Sequence, residues 1–241
     1  MVHTVEMNEK VRMFHVKPGS FDDLTADAQG NPLLPPPEIA SEIFGENLDK
    51  GIAYHGLLAT AGSIRGFMGP REIPKLWDRH ILNCAVIGEA MDHGARVADI
   101  GSGAGLPGIP LALARPDLSI TLIEPLLRRS VFLDEVVDAL ELDNVRVIRG
   151  RAEERFVRAQ LGPIDIVTSR AVAPLGKLAG WSLPLLSKGG RMIAMKGTSV
   201  HEELERDQAL IAKAGGGMAE IFSVGKQLPE PTTLIAIRKK R

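Results

Sequence analysis

The chain has little cysteine, no long apolar run and almost no net charge, and each shortage excludes a class of protein. Its 241 residues include one cysteine, Cys84, which excludes an internal disulfide and a cysteine-based zinc site. No apolar stretch approaches the length that spans a membrane, and the N-terminus lacks the apolar region of a signal peptide. The formal net charge is −1, so any nucleic acid would have to bind local basic patches. We therefore expect a cytoplasmic protein with no membrane contact, and we expect it to be a monomer.

The chain divides into three parts by composition and periodicity. Residues 1–36 are polar and end in a proline run, which predicts a mobile tail. Residues 37–93 carry helical patterns without strand signals, and we expect a small helical cap there. Its strongest apolar stripe includes Trp77, His80 and Cys84. Residues 94–241 form the third part.

Strand and helix patterns alternate through residues 94–241, which is typical of a doubly wound α/β sheet. The predicted strands are residues 96–100, 119–124, 145–149, 164–168 and 190–195. Helices are predicted to begin near Leu106, Leu127, Arg151, Pro174 and Val200. Two further extended runs, residues 218–224 and 232–238, predict a terminal hairpin. The pattern favours a Rossmann-like, mostly parallel sheet that ends in an antiparallel hairpin, as in class I methyltransferases.

A glycine-rich turn follows the first predicted strand. Gly101, Gly103 and Gly105 alternate there, so the backbone can adopt dihedrals closed to other residues and a ligand can approach it closely. Glu124 ends the second predicted strand, where a carboxylate can accept hydrogen bonds from the two hydroxyls of a ribose. Together these residues predict a site for a nucleoside cofactor; a tight turn without any ligand is the alternative.

Two details favour S-adenosylmethionine over a dinucleotide at this turn. A dinucleotide fingerprint can be read from Gly103, so a nicotinamide or flavin enzyme stays open. However, Asp99 precedes the glycines, where it can orient the turn and face a cationic methyl donor. Pro107 and Pro110 then suit the start of a helix but remove N–H groups that a pyrophosphate would use.

Charged residues follow the other predicted strands, at the edge where open α/β sheets bind ligands. Arg128 and Arg129 fall in the first turn of a helix, where cations are disfavoured, so they indicate an anionic partner or are simply solvated. Arg170 directly follows the fourth strand and is expected to point into the cleft, the alternative being a salt bridge to a carboxylate. Lys196 ends the fifth strand, where it can reach phosphate or be solvated. Glu153 is placed to meet an adenine amino group or to offset a helix dipole.

The cap adds one candidate, and two absences narrow the reaction. His80 lies on the apolar stripe, which favours a packed, hydrogen-bonded histidine, with Arg79 on the polar margin beside it. The six histidines show no metal-ligand spacing, and we expect no metal site. Methylation of exocyclic amines typically uses an Asn/Asp-Pro-Pro-aromatic turn after strand four, and residues 169–172 lack it. Methylation at pyrimidine C5 needs a cysteine nucleophile, and Cys84 lies outside the sheet domain.

Taken in order, these motifs resemble the glucose-inhibited division protein B family, the 16S rRNA guanine-N7 methyltransferases. The matching segments are residues 79–82 (RHIL), 99–110 (DIGSGAGLPGIP), 128–133 (RRSVFL), 151–154 (RAEE), 169–171 (SRA) and 196–197 (KG). The resemblance covers about residues 37–240. In place of the Asp-Ser that commonly follows in the family, the cap carries Asn83 and Cys84.

The resemblance implies a class I methyltransferase fold, S-adenosylmethionine as methyl donor, and a guanine in the decoding region of 16S rRNA, free or in the small subunit, as acceptor. It also implies that Gly101, Leu106, Ala152, Glu153 and Arg170 contact the cofactor, and that Arg170 and Lys196 face the RNA as the catalytic pair. We expect Arg79, Arg128 and Arg129 to bind the RNA together with Lys196. The alternatives are a small-molecule methyltransferase, which would have a closed pocket and need no RNA, and a protein that binds the cofactor without turnover. A nicotinamide dehydrogenase is a further alternative.

Overall fold

Seven strands form one sheet in the computed structural model, which describes residues 24–240. They are β1 (Arg96–Ile100), β2 (Ser119–Glu124), β3 (Val145–Arg149), β4 (Ile164–Arg170), β5 (Leu186–Met195), β6 (Gly216–Val224) and β7 (Thr232–Lys239). The strand order is β3-β2-β1-β4-β5-β7-β6. Strands β1 to β5 pair in parallel, whereas β7 pairs antiparallel with both β5 and β6. The predicted Rossmann-like sheet with a terminal antiparallel hairpin is confirmed.

The strand β5 is longer than predicted. It begins at Leu186 rather than at residue 190, and the pairing of β4 with β5 shifts register between Ile164 and Ile166. Gly189 has a φ of +83°, which glycine adopts without steric cost. The two glycines at 189 and 190 therefore form an irregularity within the strand, where the sequence pattern indicated its start.

Residues 37–91 form the helical cap, and within them the structure contains no strand, as predicted. The cap holds α1 (Ile39–Phe44), α2 (Leu48–Leu57) and α3 (Asn83–Ala85), together with 3-10 segments (Gly45–Asn47, Pro70–Lys75, Val86–Ala90) and π-helical segments (Leu58–Gly62, Leu76–Leu82). Trp77, His80 and Cys84 of the predicted stripe are all buried. The wide turn of the π-helical segment Leu76–Leu82 carries His80, and such turns are frequent at functional sites.

Residues 24–36, part of the predicted tail, lie against this cap. The backbone N–H of Ala28 donates to the carbonyl of Ala59 at 3.1 Å, and Trp77 Nε1 donates to the carbonyl of Leu34 at 3.1 Å. The rest of the predicted tail, residues 1–23, lies outside the described residues. The division of the chain at residues 36 and 93 stays a prediction.

Five further helices cover the two faces of the sheet: α4 (Gly108–Ala114), α5 (Leu127–Ala139), α6 (Arg155–Leu161), α7 (Leu175–Ser182) and α8 (Val200–Lys213). Alternate residues of β1 enter different cores, since Val97 packs with the cap, α4 and α5, and Ala98 packs with α6, α7 and α8. Burial on both faces leaves the carboxyl edge of the sheet as the place where polar side chains gather. In the part of the chain that the structure describes, no helix is long and apolar enough to cross a bilayer.

Tyr54 joins the cap to the loop that follows β1. Its hydroxyl donates to the carbonyl of Ala104 at 2.8 Å, and the side chain is fully buried. We expect Tyr54→Phe to lower the free energy of unfolding by about 1–3 kcal/mol, because the buried carbonyl loses its partner. Urea denaturation with an unchanged m-value would measure this loss. Equal stability of the two proteins would show that Ala104 finds another donor.

Candidate active site

A cleft of about 1140 Å³ opens at the carboxyl edge of the sheet, between the sheet and the cap. Its walls come from the loop after β1, the ends of β2, β4 and β5, the turn before β7, and the cap. Of the predicted site residues, the cleft brings together Arg79, Gly101, Gly103, Leu106, Glu124, Arg129, Arg170 and Lys196. Its volume is slightly above the range of about 300–1,000 Å³ that is typical of small-molecule sites, and it lies at the position expected for an open α/β sheet.

The loop after β1 forms the floor of the cleft with left-handed backbone. Gly101 and Gly103 have φ angles of +68° and +61°. A Cβ on Gly101 would lie 2.9 Å from Val172 Cγ2, so this glycine allows the loop to pack against the segment after β4. A Cβ on Gly103 would meet nothing closer than the carbonyl of Gly101 at 3.9 Å. Since Gly103 lines the cleft, such a group would instead take space that a ligand needs.

Glu124 is fixed by backbone donors on both oxygens. Oε2 accepts the N–H of Gly103 at 2.9 Å, and Oε1 accepts the N–H of Leu126 at 2.9 Å. An ionised carboxylate has about four acceptor sites, so each oxygen keeps one for a ligand. The arrangement fits a pair of ribose hydroxyls, and it also ties the carboxylate to the glycine loop.

Asp99 lies behind the glycine loop rather than on the wall of the cleft. Its Oδ2 accepts the N–H of Gly108 at 3.1 Å, and its Oδ1 has no partner among the described residues. Burial raises the pKa of this carboxyl to about 7. Asp99 therefore orients the turn, as the sequence predicts; its expected contact with the methyl donor stays a prediction.

Gly105, Ala152, Glu153 and Arg128 are not on the described walls of the cleft. Ala152 is buried in the core on the α6 side of the sheet, and Glu153 lies beside it in the turn that precedes α6. That helix begins at Arg155 rather than near Arg151, because Glu154 Oε2 accepts the N–H of Arg151 at 2.7 Å and closes a turn there. The cofactor contacts assigned to these residues stay predictions.

Arg170 ends β4 and points into the cleft. Its Nη1 donates to His80 Nδ1 at 2.8 Å. Among residues 24–240 no carboxylate lies within 4.0 Å of its guanidinium, so the salt bridge considered as an alternative is absent. The next residue, Ala171, has a φ of +54°, which is uncommon for a residue with a side chain and typical of functional sites.

His80 is packed and hydrogen-bonded, as predicted. The Nε2 atom lies 2.8 Å from Glu72 Oε2, and burial together with the charge of Arg170 lowers the pKa of the imidazole below its usual 6.5. Glu72 lies on the 3-10 segment Pro70–Lys75 and has no motif that marks it in the sequence. Sequence reasoning missed it for that reason.

Lys196 is held inside the cleft and is not solvated. Its Nζ donates to Glu203 Oε2 at 2.8 Å and to the carbonyl of Ala173 at 3.1 Å, and the side chain is 10% exposed. An ammonium has three donors, so one is left for a phosphate or a base. The alternative of a solvated strand end is wrong.

Of the arginines predicted to bind RNA, Arg79 and Arg129 line the cleft and Arg128 does not. Arg79 is 63% exposed and 3.9 Å from Glu72. Arg129 lies over the ring of Phe67, which also lines the cleft, at 6.0 Å from its centroid. Arg128 donates to the carbonyl of Arg65 at 3.3 Å. Sequence analysis did not identify Phe67, because it lies between helical segments, where the spacing of apolar residues does not show which side chains are buried.

Comparison with known proteins agrees with this geometry. The family described as GidB, rRNA small subunit methyltransferase G, matches residues 47–230. A protein named "Ribosomal RNA small subunit methyltransferase G" from Corynebacterium diphtheriae is 76% identical over 203 residues, which are 84% of this chain and 91% of that protein. A protein of the same name from Rhodococcus jostii is 53% identical over 92% of this chain and 95% of its own length. A solved SAM-dependent O-methyltransferase from Thermotoga maritima is 15% identical, with 70% of each chain covered and a TM-score of 0.50, which shows a shared fold.

Proposed function

The chain belongs to the GidB family of small subunit rRNA methyltransferases, and from this premise we propose that it methylates N7 of a guanine in the decoding region of 16S rRNA, with S-adenosylmethionine as donor. The observation that carries the proposal is the cleft in which the glycine loop, Glu124 and the Arg170 guanidinium meet. The proposal includes a cytoplasmic enzyme that acts as a monomer on 16S rRNA or the small subunit.

The residues on the cleft wall fit S-adenosylmethionine. Glu124 keeps free acceptor sites for ribose hydroxyls, and Gly103 leaves open the space that a Cβ would fill. Leu106 and Leu126 add apolar surface against which an adenine can pack. When bound, the cofactor supplies a methyl group activated by a sulfonium. The protein has to hold it, orient the acceptor base and exclude water.

The chemistry of the cleft favours a ring nitrogen as acceptor. Guanine N7 has its own lone pair, so its methylation requires no general base. A cysteine mechanism on a pyrimidine is disfavoured, because Cys84 is fully buried beside Met195 and burial raises the pKa of its thiol to about 12. Arg170 can donate to guanine O6 or to a phosphate, and the free donor of Lys196 can do the same.

Exposed arginines near the carboxyl edge of the sheet support an RNA acceptor over a small molecule. Five exposed arginines lie at the carboxyl end of the edge strand β3, in the turn before α6, in α6 itself and in the first turn of α5: Arg149, Arg151, Arg155, Arg158 and Arg128. None of them has a carboxylate within 4.0 Å among the described residues. This local positive charge, on a chain with a net charge of −1, suits a phosphate backbone.

The experiment that tests the proposal maps the methylated atom. We expect the protein to transfer tritium from labelled S-adenosylmethionine to small subunits that lack the modification. Borohydride and aniline treatment should then break the rRNA at the labelled guanine, because N7 methylation makes that base labile. Label without a strand break would rule out N7. Label on small molecules alone, or binding of the cofactor without transfer, would replace the proposal by one of the alternatives.

A further inference from the structure

Three side chains form a hydrogen-bonded line from the cap to the cleft. Arg170 Nη1 donates to His80 Nδ1 at 2.8 Å, and His80 Nε2 lies 2.8 Å from Glu72 Oε2. A guanidinium has donors only, so Nδ1 has to be the acceptor and the proton of a neutral ring lies on Nε2. The imidazole then donates through Nε2 to Glu72. The two contacts together fix one tautomer.

We propose that His80 is a positioning residue for methyl transfer, which holds the Arg170 guanidinium in the cleft only while its own ring is neutral. The inference rests on the proposed function for its kinetic test. His80 is the one protein acceptor that Arg170 has among the described residues. This contact uses one of the five guanidinium donors, and the others are left for the acceptor base or its phosphate.

Three charged groups around His80 set the pH at which its contact with Arg170 is lost. Glu72 lies on the neighbouring 3-10 segment and is itself bound by Lys75, Arg79 directly precedes His80 in the chain, and Arg170 comes from β4. Burial, Arg170 and Arg79 lower the pKa of His80, whereas Glu72 raises it, and the net direction is below 6.5. Protonation puts an N–H on Nδ1 that faces the N–H of Arg170, so acid breaks the contact. The His80 contact should therefore be lost, and the rate should fall, with decreasing pH below 6.5.

Two substitutions at His80 distinguish the loss of the hydrogen-bond acceptor for Arg170 from the loss of the titrating imidazole. In His80→Asn, Oδ1 can accept from Arg170 near the position of Nδ1 and does not titrate. In His80→Leu no acceptor is left. We expect the single-turnover rate at pH 7.5 to fall about tenfold in His80→Leu and to stay within about threefold of the wild type in His80→Asn. The decrease in rate at low pH, the acid limb of the pH–rate profile, should disappear in His80→Asn.

Glu72→Gln tests the same series of hydrogen bonds at Glu72, and it leaves the His80 side chain unchanged. Since Glu72 raises the pKa of His80, its neutralisation should move the decrease in rate at acid pH to lower pH, while the glutamine oxygen can still accept the Nε2–H of His80. Glu72 is partly exposed, so this variant should fold. His93→Asn is the matched control, because His93 is 90% exposed at the opposite edge of the sheet, before β1, and should leave the limb in place.

Nitrogen NMR of the imidazoles gives a readout that needs neither cofactor nor RNA. The resonance that disappears in His80→Asn belongs to His80; we expect it to report the Nε2–H tautomer and a pKa below 6.5 that decreases in Glu72→Gln. The inference is overturned by an Nδ1–H tautomer, by equal rate losses in the two His80 variants, or by an acid limb that stays in place in Glu72→Gln. If the wild type transfers no methyl group, the proposed function fails, and the tautomer and its pKa still decide the role of His80.

Discussion

Arg170→Ala should lower the rate of methyl transfer to small subunits by on the order of 100-fold, the loss expected when a positioned charged donor is removed from a reaction site. The reason is its isolation from other charges. With no carboxylate within 4.0 Å among the described residues, the guanidinium is free to bind the acceptor. Arg170 lines the cleft at the end of β4, where its backbone pairs with Met195 of β5 and the strand is paired with β1 as far as Thr168.

Single-turnover rates with saturating cofactor would measure this loss, together with calorimetric affinity for S-adenosylmethionine. Arg96→Ala is the matched control: Arg96 starts β1 at the opposite edge of the sheet and pairs with Asp165 at 2.7 Å. That variant should transfer methyl groups at the wild-type rate. Arg170→Lys should recover little of the lost rate, because an ammonium lacks the planar array of donors that can reach His80 and a base at the same time. A rate for Arg170→Ala within threefold of the wild type would reduce Arg170 to a structural role.

The sheet could be predicted because its strands have strong local signals. The predicted bounds of β1, β2 and β3 agree with the structure at both ends, since each is a short run with valine or isoleucine that lies between turns. The start of β5 was missed because Gly189 and Gly190 have the composition of a turn, although the strand continues through them. Local composition cannot distinguish an irregular strand from its end.

The candidate site was predictable only where one segment carries the chemistry. The glycine loop and Glu124 follow strands directly, so the rule that ligands bind at carboxyl ends located them. The contact of His80 with Arg170 joins residues 90 positions apart, and no pattern in the sequence encodes such a pair. For Asp99 the sequence motif gives the residue but not its position. Only the structure shows that Asp99 lies behind the glycine loop and accepts a hydrogen bond from the N–H of Gly108.

Gly103→Val should abolish measurable binding of S-adenosylmethionine while the protein stays folded. The backbone of Gly103 has a φ of +61°, and its N–H is held by Glu124 at 2.9 Å, so the residue cannot relax to an extended conformation without losing that contact. A β-branched residue is strained at this φ, and its side chain would enter the cleft. Calorimetric titration would measure the affinity, and circular dichroism would check the fold.

Alanine variants separate the effect of strain from that of a blocked site. Gly94 has a φ of +69° in an exposed turn with nothing within 4 Å of an added Cβ, so Gly94→Ala and Gly103→Ala should each lose about 1–2 kcal/mol of folding free energy. Only Gly103→Ala should also weaken cofactor binding. Its added Cβ has no close contact with the protein, so the one group that it can obstruct is a ligand in the cleft. We expect a loss of at least tenfold in affinity for Gly103→Ala and none for Gly94→Ala. Equal affinities in the two alanine variants would place the cofactor away from Gly103, and unchanged binding by folded Gly103→Val would rule out the glycine loop as its site.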